Sequence, residues 1–345
     1  MAWVSQDTAT VSVVSILVLL ISNLWLRAAG RTRILRCLFA LCVSVTAFAP
    51  VSHAAELKIG TWKTPQTIQP FFYERFLPSS YQATVFAFTN PADQKTALLA
   101  KSLDMCGTTL AHAIHSAAAG QPVVLVAALC NKCSALVVRQ DGPVKTVADL
   151  KGRRIGYVPG TMHEILLRET LIRSGLSPAM DVSLTRVDFF DMGLALARGS
   201  IDGFLSGEPF PTLAVAKGYG RILSYPYYGD AVGTINAGML VTRESIRSDP
   251  EMVQALVTAH VRATEHLTAH PEQWLKRASQ FGTPLEVLAK AAPNMELAWE
   301  MDQDFIDRTR ALGERMQALG VIERQPDYEA LFDLRFVEQA KEMLR

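Results

Sequence analysis

Short apolar runs alternate with helix-like stretches through the centre of the chain. Gly, Pro, Asp or Asn bounds the runs, and an unbroken apolar run of this length is typical of a strand buried on both faces. The predicted strands are 57–60, 83–88, 103–106, 123–129, 135–139, 154–158, 183–187, 201–205, 221–223 and 237–242. Because strands alternate with helices, the pattern predicts largely parallel sheets covered by helices.

Residues that typically begin helices stand between these apolar runs, and the alternation of strands and helices ends after the last run. Pro91, Thr108, Thr161 and Pro209 each stand where a helix begins. After Asp249 only helical patterns follow, with predicted starts at 249–250, 271, 283–284 and near 295.

This order predicts an α/β fold of two Rossmann-like lobes joined by hinge strands, with a helical C-terminal segment packed on the first lobe. Gly and Pro gather at 140–143 and 233–237, where we place the two crossings. The first lobe is then 56–140 with 237–345, and the second is 141–236. In such sheets, ligands bind beyond the carboxyl ends of strands, where helix N-termini present free N–H groups.

Two apolar runs, 11–26 and 37–51, precede the alternating pattern, and four arginines stand between them. Both are short for a membrane span. The arginines, the second run and the small residues at 52–54 predict a secretory signal cleaved before Ala55 or Glu56, and hence a periplasmic protein. Other interpretations stay open: the apolar runs form a membrane hairpin, the run 11–26 is kept as a single membrane tether, or translation starts near Leu26.

Removal of residues 1–55 would leave a nearly neutral chain. That segment holds four of the 34 basic and one of the 33 acidic residues, so the remaining formal charge is near −2. A nucleic-acid-binding protein would show a basic face, so we expect no nucleic-acid partner. The sequence also contains no nucleophile elbow, HExxH zinc motif or Walker loop.

Several segments of the second predicted lobe resemble a known family. They are VADLKGRRIG at 147–156, Gly160-Thr161, ALARGSIDG at 195–203 and GEPF at 207–210. Their order is similar to importer binding proteins of the nitrate/sulfonate/taurine class, to thiamine-pyrimidine precursor binders and to the related fungal pyrimidine-synthesis proteins. The resemblance implies a type II periplasmic binding protein fold, a small-molecule ligand, an ABC permease as partner and no cofactor. We also expect a monomer.

The same order indicates which polar groups face the cleft. Gly160 and Thr161 follow a strand and open a helix, so their N–H groups and the Thr161 hydroxyl are candidate ligand donors, as is Thr108. The alternative is that Thr161 only caps its helix. Glu208 follows the strand 201–205, and its carboxylate suits an amino or amidine group, unless it too serves only the helix terminus.

The loop WKTPQTIQP at 62–70 resembles the W-T-P-N-T-N-H loop of pyrimidine-type family members, with one residue inserted and the His missing. Trp62 offers a flat face for stacking a ring, and Gln66 offers both a donor and an acceptor. The alternative is a Trp packed over the lobe edge. Because the His is missing, we expect a binding protein and not an enzyme; a pyrimidine-synthesis-like enzyme and a membrane-tethered sensor are the rival functions.

Three cysteines, Cys106, Cys130 and Cys133, stand at or just past the ends of predicted strands. Three interpretations stay open: a disulfide between Cys106 and one of the others or within Cys130–Cys133, buried packing, or a soft-metal site completed by Met105, Met162 or His163. A redox-active CxxC normally begins a helix, and here a strand follows. Cys106, Cys133 and His163 therefore join the candidate ligand-binding residues.

Overall fold

The computed structural model describes residues 54–230 and 232–344. The predicted signal peptide and the candidate tether at 11–26 fall outside the described residues. Within the described part, no helix combines the length and the apolar character that crossing a membrane requires.

The strands belong to two sheets. They are β1 Ala55–Trp62, β2 Tyr81–Phe88, β3 Met105–Thr109, β4 Val123–Lys132, β5 Ser134–Arg139, β6 Arg154–Tyr157, β7 Ser183–Arg186, β8 Gly203–Gly207, β9 Gly220–Ser224, β10 Ile235–Thr242 and β11 Met295–Leu297. The first sheet has the order β11-β4-β10-β3-β1-β2, and the second has the order β7-β6-β8-β5-β9.

Each sheet combines a parallel part with an antiparallel part. In the first sheet β2, β1 and β3 are parallel, whereas β10 runs antiparallel to both of its neighbours and β11 antiparallel to β4. In the second sheet β7, β6 and β8 are parallel, and β5 runs antiparallel between β8 and β9. The carboxyl ends of the parallel strands therefore meet at one edge of each sheet.

The chain passes between the sheets at two places. The first crossing is at Cys133, directly between β4 and β5, and the second lies between the end of β9 at Ser224 and the start of β10 at Ile235. The crossing expected at 140–143 is wrong for this strand order, because 135–139 pairs in the second sheet and not in the first. If the lobes follow the sheets, the proposed first boundary moves from 140 to 133.

The predicted strands all overlap observed ones, but the C-terminal segment contains a strand that the helical pattern did not indicate. Residues 295–297 form β11 against Cys130, Asn131 and Lys132, and the next helix begins only at Gln303. A run of three residues is too short to show an alternation of apolar and polar positions. Residues 295–297 are therefore recognised as a strand only from their pairing with β4.

Helices cover the sheets. They are α1 Pro91–Leu99, α2 Leu110–Ala118, α3 Met162–Arg173, α4 Met192–Ala197, α5 Phe210–Ala216, α6 Arg243–Ser248, α7 Pro250–Ala269, α8 Pro271–Ser279, α9 Leu285–Ala291, α10 Gln303–Ala318, α11 Tyr328–Leu331 and α12 Arg335–Glu342. In the C-terminal segment, α7 packs on residues 69–75, α10 on α2, and α11 and α12 on β4, as predicted; α9 also contacts α5 on the second sheet.

Candidate functional site

A small cavity lies where the carboxyl ends of the two sheets face each other. Trp62, Phe88 and Gly207 end β1, β2 and β8, while His163, Phe189 and Phe210 come after β6, β7 and β8. The full lining is Trp62, Lys63, Thr64, Gln66, Phe88, Thr89, His163, Phe189, Phe190, Gly207 and Phe210. The cavity has a volume of about 20 Å³, which is room for about one water molecule.

Aromatic rings form most of the wall. Phe189 and Phe210 stack with ring centroids 6.1 Å apart and planes 8° apart, and Phe190 meets Phe210 edge-on at 4.8 Å. Of the described lining residues, only Lys63 carries a permanent charge, and its side chain is exposed. Faces and edges of this kind bind a flat ring well and give a small anion no fixed counter-charge.

Two predicted residues bring unpaired polar atoms to this wall. Trp62 and Gln66 are 6% and 2% exposed, and neither the Trp62 Nε1–H nor the Gln66 Oε1 has a hydrogen-bond partner among the described residues. A buried polar atom without a partner costs about 1–3 kcal/mol. Both residues therefore have unused hydrogen-bonding capacity beside the cavity.

His163 is a neutral member of the wall. Its Nδ1 lies 3.0 Å from the Ser134 hydroxyl, and its ring meets Phe189 edge-on with centroids 5.5 Å apart. Burial lowers the pKa of His163 to about 4, so the ring is uncharged at neutral pH. A Cβ on Gly207 would lie 2.9 Å from Nε2, so only glycine leaves room for this ring.

Glu208 lies directly behind the cavity and not in its lining. Its Oε1 accepts from Asn294 Nδ2 at 3.2 Å, and its Oε2 accepts from the Thr212 backbone N–H at 3.2 Å. Desolvation by burial raises the pKa of this carboxyl group. Since both oxygens already have partners, Glu208 supports the wall in this conformation.

The polar groups at the helix terminus of Gly160 and Thr161 form hydrogen bonds with neighbouring residues of the same segment. Thr161 Oγ1 donates to the Val158 carbonyl at 2.8 Å and accepts from the Glu164 N–H, while the Gly160 N–H donates to Glu164 Oε2 at 2.6 Å. Neither residue lines the cavity. These contacts are those of a helix cap, the alternative considered above, and a ligand role stays a prediction.

Cys106 and Thr108 lie inside β3 and also outside the cavity lining. Both are fully buried, and the Thr108 hydroxyl has no partner among the described residues. The helix that Thr108 was expected to open is capped by Thr109, whose hydroxyl accepts from the His112 N–H at 3.3 Å. Burial raises the pKa of the Cys106 thiol.

The three described cysteines are free thiols, and all are buried. Because β10 separates β3 from β4, Cys106 and Cys130 are at least two strand spacings, about 10 Å, apart, and they pair with different residues of β10, so they lie too far apart for a disulfide. A hydrogen bond with Cys130 and burial raise the pKa of Cys133. No group of three His, Cys, Asp or Glu in the described residues could hold a metal ion. The three thiols pack as buried side chains in this conformation, and a ligand or soft-metal role for them stays a prediction.

The predicted site is thus brought together only in part. Trp62, Gln66 and His163 line the cavity, and Cys133 and Glu208 lie beside it. Sequence reasoning missed the wall of Phe88, Phe189, Phe190 and Phe210, although each stands at or just after the end of a parallel strand. The larger groove of about 660 Å³ bounded by Phe76 and Phe336 lies away from those strand ends, so we assign the site to the smaller cavity.

Comparisons with known proteins identify the family of the chain. The family described as "NMT1/THI5 like" matches residues 83–274. A Haemophilus influenzae protein named "Putative thiamine biosynthesis protein" is 28% identical over 263 residues, covering 74% of this chain and 81% of that protein.

Solved structures match the fold. The alkanesulfonate-binding protein SsuA from Xanthomonas axonopodis, solved with MOPS, has a TM-score of 0.72 at 22% identity, covering 81% of this chain and 98% of its own. The ligand-binding component of an ABC-type import system from Staphylococcus aureus has a TM-score of 0.74 at 17% identity, covering 83% and 99%. These matches confirm the predicted two-lobed α/β fold.

An enzyme also appears among the relatives. The 4-amino-5-hydroxymethyl-2-methylpyrimidine phosphate synthase of Schizosaccharomyces pombe is 29% identical over 138 residues, which cover 40% of this chain and 38% of the enzyme.

Proposed function

Because the chain belongs to the NMT1/THI5-like family, we propose that it is the extracytoplasmic solute-binding component of an ABC import system. The observation that carries the proposal is the cavity built from strand ends of both sheets. Ligands of open α/β sheets bind at this kind of edge. A ligand there would contact both lobes at once, which is how a two-lobed receptor couples binding to closure.

The ligand that suits this wall is a small flat heterocycle with hydrogen-bonding groups on its rim. Trp62 and the phenylalanines supply ring faces and edges, and the unpaired Trp62 Nε1–H and Gln66 Oε1 supply one donor and one acceptor. Nitrate or a short sulfonate would gain little from such a wall, because Lys63 is its only permanent charge among the described lining residues.

The cavity of about 20 Å³ is too small for such a ring, since ligand pockets usually measure about 300–1,000 Å³. Entry therefore requires the lobes to separate at the two crossings. We further propose a periplasmic location, a monomeric state and a membrane permease as the partner of the closed form.

The test is to express the full chain in a bacterium, isolate the exported protein and measure binding by calorimetry. The probes are 4-amino-5-hydroxymethyl-2-methylpyrimidine, ethanesulfonate and nitrate. We expect the pyrimidine to bind most tightly. Trp62→Ala should weaken that binding at least about tenfold, because losing a stacked ring contact costs about 0.5–1.5 kcal/mol before the lost burial is added.

Trp299→Ala is the matched control, because Trp299 is 8% exposed against 6% for Trp62 but does not line the cavity. Both variants should melt at a lower temperature, and only Trp62→Ala should lose affinity. Equal loss in both, or tighter binding of nitrate than of the pyrimidine, would contradict the proposed site. Mass spectrometry of the exported protein shows where its N-terminus lies and so tests cleavage before Ala55 or Glu56.

The match to the yeast synthase makes an enzyme the second candidate. The loop at 62–70, where the resemblance places the synthase His, contains none. We therefore propose binding without turnover. Formation of a pyrimidine phosphate by the purified protein would reverse this assignment.

A further inference from the structure

The first crossing has an unusual backbone. Lys132 and Cys133 have φ angles of +58° and +72°, in the left-handed region, where a side chain costs roughly 1–2 kcal/mol per residue. Two consecutive residues of this kind persist only where the surroundings fix the conformation. The crossing is therefore held in place by its contacts.

Those contacts come from three distant parts of the chain. The Lys132 N–H donates to the Thr234 carbonyl of the second crossing at 2.6 Å, and the Cys133 N–H donates to the Asn294 carbonyl at 2.8 Å. The Cys133 carbonyl accepts from the Glu208 N–H, also at 2.8 Å. Both crossings, the C-terminal segment and the second sheet thus meet at the backbone of Lys132 and Cys133.

The Tyr227 hydroxyl connects the same parts through side chains. It accepts from the Ser134 backbone N–H at 2.8 Å and lies 2.6 Å from Asn294 Oδ1, to which it donates. Asn294 Nδ2 in turn donates to Glu208 Oε1. On the other side, the Ser134 hydroxyl contacts His163 Nδ1 at 3.0 Å, and His163 lines the cavity.

We propose that Tyr227, in the second crossing, is a positioning residue. Its hydroxyl holds Ser134 and Asn294 in place. That geometry sets His163 in the cavity wall and keeps the lobes closed. This inference rests on the proposed function for its link to ligand binding. Tyr227 itself is not among the residues that line the cavity, so it acts through its neighbours.

The hydroxyl has this influence because its hydrogen bonds to Ser134 and Asn294 join segments that are far apart in the sequence. Without it, the Ser134 N–H would lose its acceptor and Asn294 would lose a donor that now orients its amide toward Glu208. The left-handed pair at Lys132 and Cys133 would then be free to relax, since fewer contacts oppose its strain. Relaxation there changes the angle between the sheets.

The test is Tyr227→Phe, which removes only the hydroxyl oxygen. Nitroxide labels at Asp93→Cys on the first sheet's side and Ala216→Cys on the second report the distance between lobes by pulsed electron resonance. Both sites are exposed, whereas the three described native thiols are buried. We expect a longer and broader distance distribution without ligand, and about tenfold weaker binding of the pyrimidine probe, the effect of one lost hydrogen bond.

Tyr73→Phe is the matched control. Tyr73 is fully buried within the first lobe, and its hydroxyl bonds His260 Nδ1 at 2.9 Å. This variant should lower the melting temperature while leaving the distance distribution and the affinity unchanged. Asn294→Ala should reproduce the Tyr227→Phe distribution, and the double variant should show less than the sum of the two effects.

A wild-type distribution in both Tyr227→Phe and Asn294→Ala overturns the inference, and so does an equal shift in Tyr73→Phe. The distance measurement needs no ligand. If wild-type protein binds none of the probes, the proposed ligand class fails, while the distances still decide whether Tyr227 positions the lobes.

Discussion

The cavity wall and the first crossing are adjacent but are built by opposite means. The wall consists largely of aromatic rings whose packing depends little on direction, with two polar atoms left unpaired. The crossing consists of backbone and amide groups, whose hydrogen bonds fix their directions. Under the proposed function, the residues that fit the ligand are therefore separate from those proposed to set the lobe angle, and His163 and Gly207 contact both groups.

The largest effect should come from the wall. Phe210 is 9% exposed and packs against both Phe189 and Phe190. Phe210→Ala should therefore lower the free energy of unfolding by about 3–5 kcal/mol and abolish detectable binding of the pyrimidine probe. Urea unfolding and calorimetry measure both quantities.

Phe190→Ala sharpens this prediction, because Phe190 belongs to the same cluster but is 45% exposed. It should cost clearly less stability than Phe210→Ala. Equal costs would mean that the wall is not packed as the structure indicates.

A smaller effect is expected where the wall meets the crossing. On Gly207, a methyl group would lie 2.9 Å from His163 Nε2 and 3.3 Å from Cys133 Sγ. Gly207→Ala should therefore destabilise the protein by about 1–3 kcal/mol, the usual cost of overpacking, and shift the His163 ring resonances in NMR spectra.

Gly193→Ala is its control, since the nearest atoms to a methyl group there are at an ordinary contact distance of 3.8 Å. That substitution lies in α4 and should leave stability unchanged or raise it slightly. A loss as large as that of Gly207→Ala would show that the steric argument is wrong.

The smallest effect is a pH dependence behind the wall. Burial raises the pKa of Glu208 above its usual 4.5, so the folded state binds this proton more tightly than the unfolded state. The resulting stability is present below pH 4.5 and is lost as pH rises through the folded pKa. The free energy of unfolding of Glu208→Gln minus that of wild type should therefore be greatest near pH 7 and fall toward pH 4.5.

The test is how this difference in unfolding free energy changes with pH, measured by urea unfolding at several pH values. Its absolute value is less informative, because the glutamine amide has one acceptor fewer than the carboxylate at every pH. Asp202→Asn should give the opposite slope, since a hydrogen bond from Arg154 lowers the pKa of Asp202. If the difference for Glu208→Gln did not change with pH, the predicted contribution of the buried carboxylate to the pH dependence of stability would be wrong.

The sequence predicted the two-sheet fold because buried strands and capped helices leave local signals. It did not place the first crossing, because Lys132 and Cys133 adopt left-handed φ angles that Gly or Asn would ordinarily signal. It identified Trp62, Gln66 and His163, which line the cavity. It missed Phe189 and Phe210 because an apolar residue after a strand has the same sequence pattern as a residue of the hydrophobic core. These two residues line the cavity only because the other sheet lies opposite them.

The strand β11 has a consequence for how the protein folds. Its pairing joins Asn131 to Glu296, which are 165 positions apart in the chain. Contacts of such long sequence separation form late, because the entropy of closing the intervening loop must be overcome first. The edge of the first sheet and the hydrogen bond from Tyr227 to Asn294 therefore form only when the C-terminal segment docks, and truncation before residue 298 should lower the stability of the remaining chain.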